Sequence, residues 1–389
     1  MTSPPRSATS GDPAVPPPRS SWVILGSIPR VVRGVPDEAA DLSVALAAPP
    51  RVSRLTVSQR VFPGRPTHRN FPFVLAADGS GLLLLSAILA APLRRVDIDR
   101  PDNQSFQWRN SDPRYFVLDA TTGSAFRLPD PDPQETIMHQ GLLGVVACPG
   151  GGGRYMVAEL FPFFGSDTAD LRCFSSDLGE WVSKSVRYPL PARPLSPICT
   201  LAYHGRLWYR EAHGVLDMFR YVGVSAGKLR FVDTYRRGAA PTKVTVWTLP
   251  DANATEWTLE HEAAFADIWA DESYKATDLP KKPPVLALIH PHNPAVVYFF
   301  LEGHLFGVDV PAGKVVECER YHLVAPPRDF GIASRFIRAW ELPRAVSSGL
   351  GNWSSDISSS EPTEVPPYRR MPGDYDLVGM SRMAFKEMN

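Results

Sequence analysis

The sequence lacks the long apolar segments that would place it in or across a membrane. Its longest apolar stretch, residues 81–93, has about 13 residues, whereas a helix needs about 20 to cross a bilayer. The first twenty residues carry six prolines and no apolar core, so they do not fit a secretory signal. We therefore expect no membrane association and a cytoplasmic or nuclear location.

An excess of positive charge and closely paired cysteines are also missing. The 41 basic and 41 acidic residues cancel, so no net field indicates binding to nucleic acid. The four cysteines, Cys148, Cys173, Cys199 and Cys318, lie far apart and form no Cys-x-x-Cys pair of the kind found in zinc and redox sites. We expect them to be reduced thiols and infer no cofactor from them.

What the chain does contain is enough apolar sequence for a large core, interrupted by many turn-forming residues. Of its 389 residues 44% are hydrophobic, and 40 are prolines, which argue against long helices. Residues 1–20 are rich in proline, and residues 344–389 are rich in serine and proline, so both ends are predicted to be disordered. The folded domain is expected to occupy residues 21–343.

Within this domain, short β-type runs are arranged in pairs around turns. Residues 71–75 and 82–86 flank a turn whose glycines can adopt positive φ, and residues 115–118 and 125–128 flank a second turn that contains Asp and Gly. The same order of strand, polar turn and strand returns at residues 171–181, 244–257 and 306–313. The first two pairs are predicted to form β-hairpins, and each of the repeated copies is predicted to form an outer hairpin.

A second signature consists of glycine, then a basic residue or His, then Leu and a strand former. It occurs at residues 205–208, 227–230 and 303–306. Two alternating kinds of hairpin, neither able to bury both faces alone, are typical of four-stranded propeller blades. The sequence therefore predicts an all-β fold, an irregular β-propeller-like repeat of antiparallel hairpins.

The spacing of these signatures is uneven. Regular blades recur at about 40 to 50 residues, but Gly205 and Gly227 are too close for a complete blade between them. One blade is therefore predicted to be incomplete near residues 209–220. One short helix is expected over residues 260–276, where Ala264 and Ile268 share a face before Pro280.

Several stretches together carry a family resemblance. They are residues 22–28, 40–55, 70–85, 221–235, 265–277 and 284–310. They resemble a plant family that is expanded in grasses, the domain of unknown function 1618 family, and the resemblance extends from about Trp22 to Pro343 and again over residues 372–380. It implies similarity to the propellers associated with plant F-box proteins, and it implies no activity. Relatives carry a longer segment between Trp208 and Tyr221, which agrees with the predicted incomplete blade.

One motif suggests nucleophilic catalysis. Residues 223–227 spell Gly-x-Ser-x-Gly, the nucleophile elbow in which a strand-to-helix turn exposes a serine, here Ser225, to a histidine base. However, the following residues, 229–232, have the character of a strand. We therefore favour a hairpin turn over a serine hydrolase site.

Two histidines suggest a metal site. His290 and His292 would point to the same side of an extended strand, and His304 could be a third ligand if the two strands pair. Pro291 and Pro294 break that strand, so a turn with exposed histidines is the competing interpretation, and it is the one we favour.

The remaining candidate motifs have plainer structural explanations. Residues 150–153 are glycines but lack the Gly-Lys-Ser/Thr ending of a phosphate loop. The three aspartates Asp97, Asp99 and Asp102 lack the glycine and glutamate of a calcium loop. Three acidic residues are interpreted as part of a helix surface: Asp267, Asp271 and Glu272. Six tryptophans are interpreted as core residues: Trp181, Trp208, Trp247, Trp257, Trp269 and Trp340.

No catalytic, cofactor-binding or metal-binding residue is therefore assigned from the sequence. The favoured function is a non-catalytic scaffold that presents propeller loops to a protein partner, whose identity and stoichiometry stay open. A substrate receptor of a ubiquitin ligase is an alternative, although the first sixty residues show no leucine-rich F-box helices. An enzyme based on Ser225, or on His290 and His292, is the third hypothesis.

Overall fold

The computed structural model describes most of the predicted folded domain. The described residues are 21–33, 40–64, 66, 71–88, 113–131, 143–148, 153–162, 168–187, 199–203, 206–209, 219–234, 242–250, 257–321 and 337–347. The predictions for residues 1–20, for the calcium-like and phosphate-like loops at 97–102 and 150–152, and for the tail beyond residue 347 lie outside these ranges.

The described residues form strands and a few short helices. The described part begins with β1 (Trp22–Gly26), β2 (Arg30–Val32), β3 (Leu42–Ala45) and β4 (Val52–Ser58). Blade I is β5 (Phe73–Ala77), β6 (Leu82–Ile88), β7 (Pro113–Asp119) and β8 (Ser124–Arg127). Blade II is β9 (Leu143–Ala147), β10 (Tyr155–Pro162), β11 (Thr168–Ser175) and β12 (Glu180–Arg187). The short sheet is β13 (Cys199–Tyr203) and β14 (Arg206–Tyr209).

The second half continues in the same way. Blade III is β15 (Arg220–Ser225), β16 (Lys228–Asp233), β17 (Lys243–Thr248) and β18 (Thr258–Ala264). It is followed by α1 (Phe265–Ala270) and α2 (Glu272–Lys275). Blade IV is β19 (Val285–Ile289), β20 (Val296–Leu301), β21 (His304–Asp309) and β22 (Lys314–Arg320). The described part ends with β23 (Ile337–Glu341) and α3 (Arg344–Ser347).

Blades I to IV are four antiparallel sheets in which each strand pairs with the next in sequence. The predicted hairpins are present, and the all-β, propeller-like fold is confirmed. The turns form for the expected reason: in blade I, the Asp119 carboxylate accepts hydrogen bonds from the backbone N–H and the hydroxyl of Thr121. Gly123 then adopts a φ of 73°, which favours glycine.

A fifth sheet, here called the closing sheet, combines the two ends of the described chain. Strand β1 pairs antiparallel with β23, with Val23 opposite Trp340. On its other edge β1 pairs parallel with the beginning of β4, and β2 pairs parallel with the rest of β4. Strand β3 lies antiparallel on the far side of β4. The sequence did not predict these parallel pairs, which lack the turn signatures of a hairpin.

Apolar clusters pack the four blades and the closing sheet against one another. One joins the closing sheet to blade I, a second joins blade I to blade II, a third joins blade III to blade IV, and a fourth joins blade IV to the closing sheet. The fully buried Trp340 belongs to the first cluster, and its indole N–H donates to the carbonyl of Asp78 at 3.0 Å. The packing order is therefore blade III, blade IV, closing sheet, blade I and blade II.

The first strand of each blade is the innermost one. Strand β5 contacts β9, β15 contacts β19, and β19 contacts β23. These inner strands end on one common face, here called the upper face, which carries the turns between first and second strands and between third and fourth strands. The position of a Cβ on Gly79, in the first turn of blade I, would be 3.8 Å from the Cβ of Glu341 at the end of β23.

The helical prediction for residues 260–276 holds only from Phe265 onward. Residues 258–264 are strand β18, because they complete blade III by pairing with β17. The rest divides into α1 and α2 at Asp271, whose backbone is extended and whose carboxylate caps Ser273. The described part contains three short helices where the sequence predicts one, and none is long and apolar enough to span a bilayer.

Candidate functional site

Three polar residues singled out by the sequence, Ser225, His290 and His292, meet three further residues on the upper face, at the junction of blade III, blade IV and the closing sheet. We call this group the upper-face cluster: Ser21, Trp22, Ser225, His290, His292 and Glu341. Blade III contributes the end of β15, blade IV contributes the turn after β19, and the closing sheet contributes the rest.

The Gly-x-Ser-x-Gly motif forms the hairpin turn between β15 and β16. Ser225 is the last residue of β15, and Ala226 and Gly227 both have positive φ, 48° and 71°, as in a type I′ turn. A strand follows and no helix begins there, so the motif is not a nucleophile elbow. The predicted hairpin interpretation is confirmed.

The hydroxyl of Ser225 ties blade III to blade IV. It is fully buried and donates to the backbone carbonyl of His290 at 2.6 Å, while the N–H of Ala226 donates to the carbonyl of Pro291 at 2.6 Å. The imidazole of His290 therefore does not act as the base for this serine. Gly223 also has a structural reason, since a Cβ there would lie 2.6 Å from the ring of Tyr221.

The imidazole of His290 organises the turn between β19 and β20. Its Nδ1 accepts hydrogen bonds from the backbone N–H groups of His292 and Asn293, at 3.0 and 3.1 Å. Its ring packs against Trp22 with centroids 4.5 Å apart. Burial and the neighbouring His292 lower the pKa of His290 to about 4, so the ring is neutral near pH 7 and carries its proton on Nε2.

His292 reaches across the same junction to the closing sheet. Its Nε2 is 3.1 Å from the hydroxyl of Ser21, and its Nδ1 is 3.8 Å from a carboxylate oxygen of Glu341. His304 lies at the opposite end of β20, where its Nδ1 is 3.1 Å from the carbonyl of Glu302. The three histidines therefore do not converge, and no group of three or more metal-ligating side chains is found in the described ranges.

Two of the three carboxylates of the helical region, Asp271 and Glu272, have structural partners. Asp271 accepts hydrogen bonds from the backbone and hydroxyl of Ser273, and these bonds lower the pKa of its carboxyl group. Glu272 pairs with Lys275 at 2.6 Å one turn later. Asp267 lies in the first turn of α1.

The tryptophans occupy several environments. Trp340 is core, as predicted, and Trp181 packs on Phe174 while its indole N–H donates to the carbonyl of Pro129 at 2.7 Å. Three others, Trp247, Trp257 and Trp269, are half-buried. The side chain of Trp208 lies outside the described residues.

Sequence reasoning missed three members of the upper-face cluster, namely Ser21, Trp22 and Glu341. Ser21 and Trp22 lie about 270 residues before the histidines that they contact. Glu341 lies about 50 residues after His292. Trp22 lies in a stretch that carries the family resemblance, but that resemblance names no contacts. Only the pairing of β1 with β23 brings these residues beside blade IV.

Comparison with known proteins supports the resemblance for part of the chain. Residues 180–298 match the model of a family described as "Protein of unknown function (DUF1618)". The match begins at β12, includes blade III with α1 and α2, and ends inside β20. The resemblance to this domain of unknown function is confirmed over these residues. No curated protein matches the chain.

Three solved structures illustrate the remaining similarity. The β-propeller domain of Cps50 (Swd1) from Myceliophteria thermophila has 12% identity and a TM-score of 0.19, over 70% of this chain and 80% of that one. An exo-β-1,3-galactanase from Phanerochaete chrysosporium has 5% identity and a TM-score of 0.25, over 76% and 66%. The WD40 domain of SCAP from fission yeast has 10% identity and a TM-score of 0.21, over 79% and 59%. With scores this low, nothing about function follows.

Proposed function

We propose that the chain is a non-catalytic scaffold that presents the upper face of its propeller-like domain to a protein partner in the cytoplasm or nucleus. The observation that carries this proposal is the state of the reactive groups in the upper-face cluster. The hydroxyl of Ser225 is buried and donates to a backbone carbonyl, and Nδ1 of His290 is occupied by two backbone N–H groups. Neither group is arranged to attack or deprotonate a substrate.

Exposed apolar side chains support the choice of the upper face. Four large ones lie within two residues of an upper-face turn: Leu178 between β11 and β12, Val146 and Val224 near the ends of inner strands, and Leu259 near the start of β18. Apolar side chains gathered on one surface are typical of interaction sites. Loops positioned by a rigid scaffold are the usual carriers of such binding.

Affinity purification with the full chain tests the proposal. A tagged wild-type chain is compared with Leu178→Asp on the upper face and Lys281→Asp, an exposed control between α2 and β19. The proposal expects a reproducible protein partner that is captured by wild type and the control and lost with Leu178→Asp. The absence of a reproducible partner, or a partner that is insensitive to Leu178→Asp, overturns it.

A second candidate is a substrate receptor of a ubiquitin ligase in a plant cell. It is supported by the propeller-like sheets together with the resemblance to propellers associated with F-box proteins. Residues 22–32 and 42–58 contribute strands β1 to β4, so adaptor binding would have to use another region. A pull-down with a purified Skp-type adaptor tests this candidate, and failure to bind removes it.

A further inference from the structure

Strand β22 is the outer strand of blade IV, and its outer edge pairs with no strand in the described ranges. Directly after this strand, the backbone N–H of Tyr321 donates to the carbonyl of Gly303 at 2.8 Å. Because backbone groups alternate in direction along an antiparallel pair, those of Glu319 also point toward β21. The N–H and C=O groups of Cys318 and Arg320 therefore point outward, away from the sheet.

The other end of this edge is covered by α2. A β-bulge at Val316 shifts the alternation, so the backbone N–H of Val315 also points outward. It donates to the hydroxyl of Ser273 in α2 at 2.9 Å. No hydrogen bond within the described part of the chain reaches the outward groups of Cys318 and Arg320. The free part of the edge is therefore the stretch that contains these two residues.

A groove of about 450 Å³ lies between this part of β22 and the segment that contains α2. We call it the β22 groove. Residues from both sides line it: Ser273, Ala276 and Thr277 from the helical side, and His304, Cys318 and Arg320 from blade IV. A strand that paired with the free edge would therefore have the helical segment as a wall along one of its faces.

The side chains of β22 alternate between the groove and the opposite face. Cys318 packs on the cluster that joins blade III to blade IV. Arg320 is two residues further along the strand, so its side chain lies on the same face as that of Cys318. Glu317 and Glu319 point to the opposite face, where Glu317 accepts a hydrogen bond from the hydroxyl of Tyr298. The acidic side chains of this strand therefore lie outside the groove.

Arg320 gives the groove a positive charge. The residue is exposed, and no carboxylate in the described ranges forms an ion pair with it. On the helical side, Lys275 is paired with Glu272 at 2.6 Å and adds no unpaired charge of its own. A guanidinium binds a carboxylate through charge-assisted hydrogen bonds, so the complementary ligand is acidic.

We propose that the β22 groove binds an extended segment of a partner protein. The segment pairs with the outward backbone groups of Cys318 and Arg320 and places an acidic side chain beside the guanidinium of Arg320. Main-chain hydrogen bonds then supply affinity and the cross-strand charge pair supplies specificity. The free edge has room for a segment of about three to five residues.

This site is separate from the upper face. His304 and Arg320 lie at the end of blade IV opposite that face, since they follow and precede the turns of the other end. The inference therefore goes beyond the proposed use of the upper face and does not depend on it.

The charge of the groove argues against a second copy of this chain as the occupant. If β22 paired with β22 of a second copy about a two-fold axis, both Arg320 side chains would lie on one face of a short ladder. Neither would gain an acidic partner, and like charges that face each other across a ladder destabilise it. An acidic segment of a different protein removes this repulsion.

A labelled five-residue peptide, Thr-Val-Glu-Val-Thr, is the probe for the experiment. It is titrated with the full-length chain and followed by fluorescence anisotropy, beside a companion peptide in which Lys replaces Glu. The test variant is Arg320→Glu. The matched control is Lys184→Glu, an exposed position on β12, which is the outer strand of blade II.

The proposal expects saturable binding of the Glu peptide that Arg320→Glu weakens by about tenfold or more, because the variant replaces an attraction with a repulsion. The Lys peptide should bind Arg320→Glu better than it binds the wild type, and Lys184→Glu should leave both affinities unchanged. A misfolded variant would lose both peptides, so this reversal separates charge recognition from damage to the fold. No saturable binding of the Glu peptide, or an equal loss of both peptides, overturns the proposal.

Two further measurements test the backbone pairing without variants of the chain. N-methylation of the Glu residue removes the peptide N–H that faces β22 and should abolish binding, whereas N-methylation of the second Val removes an N–H that faces away and should be tolerated. Hydrogen exchange of the Cys318 and Arg320 amides, followed by NMR, should be fast in the free chain and slowed by the peptide. Amides that are already protected in the free chain, or a dimer that the peptide dissociates, would assign the edge to another occupant and overturn the proposal.

The failure of this inference can be distinguished from the failure of the proposed function. If the Glu peptide does not bind but the captured partner is still lost with Leu178→Asp, the scaffold function stands and the β22 groove is not a binding site. If the peptide binds as expected and no captured partner responds to Leu178→Asp, the β22 groove stands and the use of the upper face is wrong.

Discussion

Replacing Ser225 with alanine separates a structural serine from a catalytic one. The hydroxyl is fully buried and donates to the carbonyl of His290 at 2.6 Å. A neutral hydrogen bond contributes about 0.5–1.5 kcal/mol net, and leaving a buried acceptor without its donor costs about 1–3 kcal/mol. The substitution removes only one oxygen atom and so creates little cavity. We expect Ser225→Ala to lower the free energy of unfolding by about 1–2 kcal/mol.

The assay is equilibrium unfolding in urea, followed by tryptophan fluorescence at pH 7, with an unchanged m value and a lower midpoint. Ser80→Ala is the matched control, because Ser80 is an exposed serine in the corresponding turn of blade I, and it should change the midpoint very little. Hydrolysis of a p-nitrophenyl ester is measured on the same samples. Unchanged stability together with loss of a measurable esterase activity would refute the structural role that we assign to Ser225.

Three further predictions concern strand packing, pH and the core. Gly223→Ala should destabilise the chain by about 1–3 kcal/mol in urea, because its Cβ would meet the Tyr221 ring, whereas Gly144→Ala, which meets nothing within 4 Å, should have a much smaller effect. The pKa of His290 is about 4 in the folded chain and 6.5 as its ordinary value, so the unfolded chain binds more protons between these two values. The free energy of unfolding should therefore fall as the pH drops from about 6.5 toward 4. His290→Asn should flatten this pH dependence, and an unchanged slope would contradict the assignment. Trp340→Ala should cost about 3–5 kcal/mol in the same unfolding assay, and a loss below about 1 kcal/mol would show that the closing sheet does not depend on this side chain.

Local turn chemistry made most of the fold predictable from sequence. Asp119 and Gly123 identify the outer hairpin of blade I because a short carboxylate and a glycine meet the needs of that turn within a few residues. The same reasoning located the Ser225 turn and rejected the nucleophile elbow, since a strand follows it. These features depend on neighbours in sequence, so a local pattern carries them.

Features that depend on distant partners were not predictable in the same way. The parallel pairing of β1 with β4 has no turn signature, and the contact of Ser21 with His292 exists only because β23 lies beside β1. Residues 260–264 have helical spacing but join a strand, because pairing with β17 completes blade III. In that segment pairing with β17 determines the backbone conformation, although the local sequence favours a helix.

The pairing of Val23 with Trp340 in the closing sheet can form only late in synthesis, because β23 is made long after β1. At roughly 5 to 20 residues per second, about 15 to 60 s pass between the emergence of β1 from the ribosome and that of its neighbour β23. Throughout this interval one edge of the apolar strand β1 lacks its partner strand. A chaperone, or a segment of this chain that is synthesised earlier than β23, must protect that edge from aggregation. The protein is therefore expected to be most vulnerable while it is nearly complete, and a ribosome-bound chain that stops just before residue 337 should bind chaperones more strongly than one that stops just after residue 347.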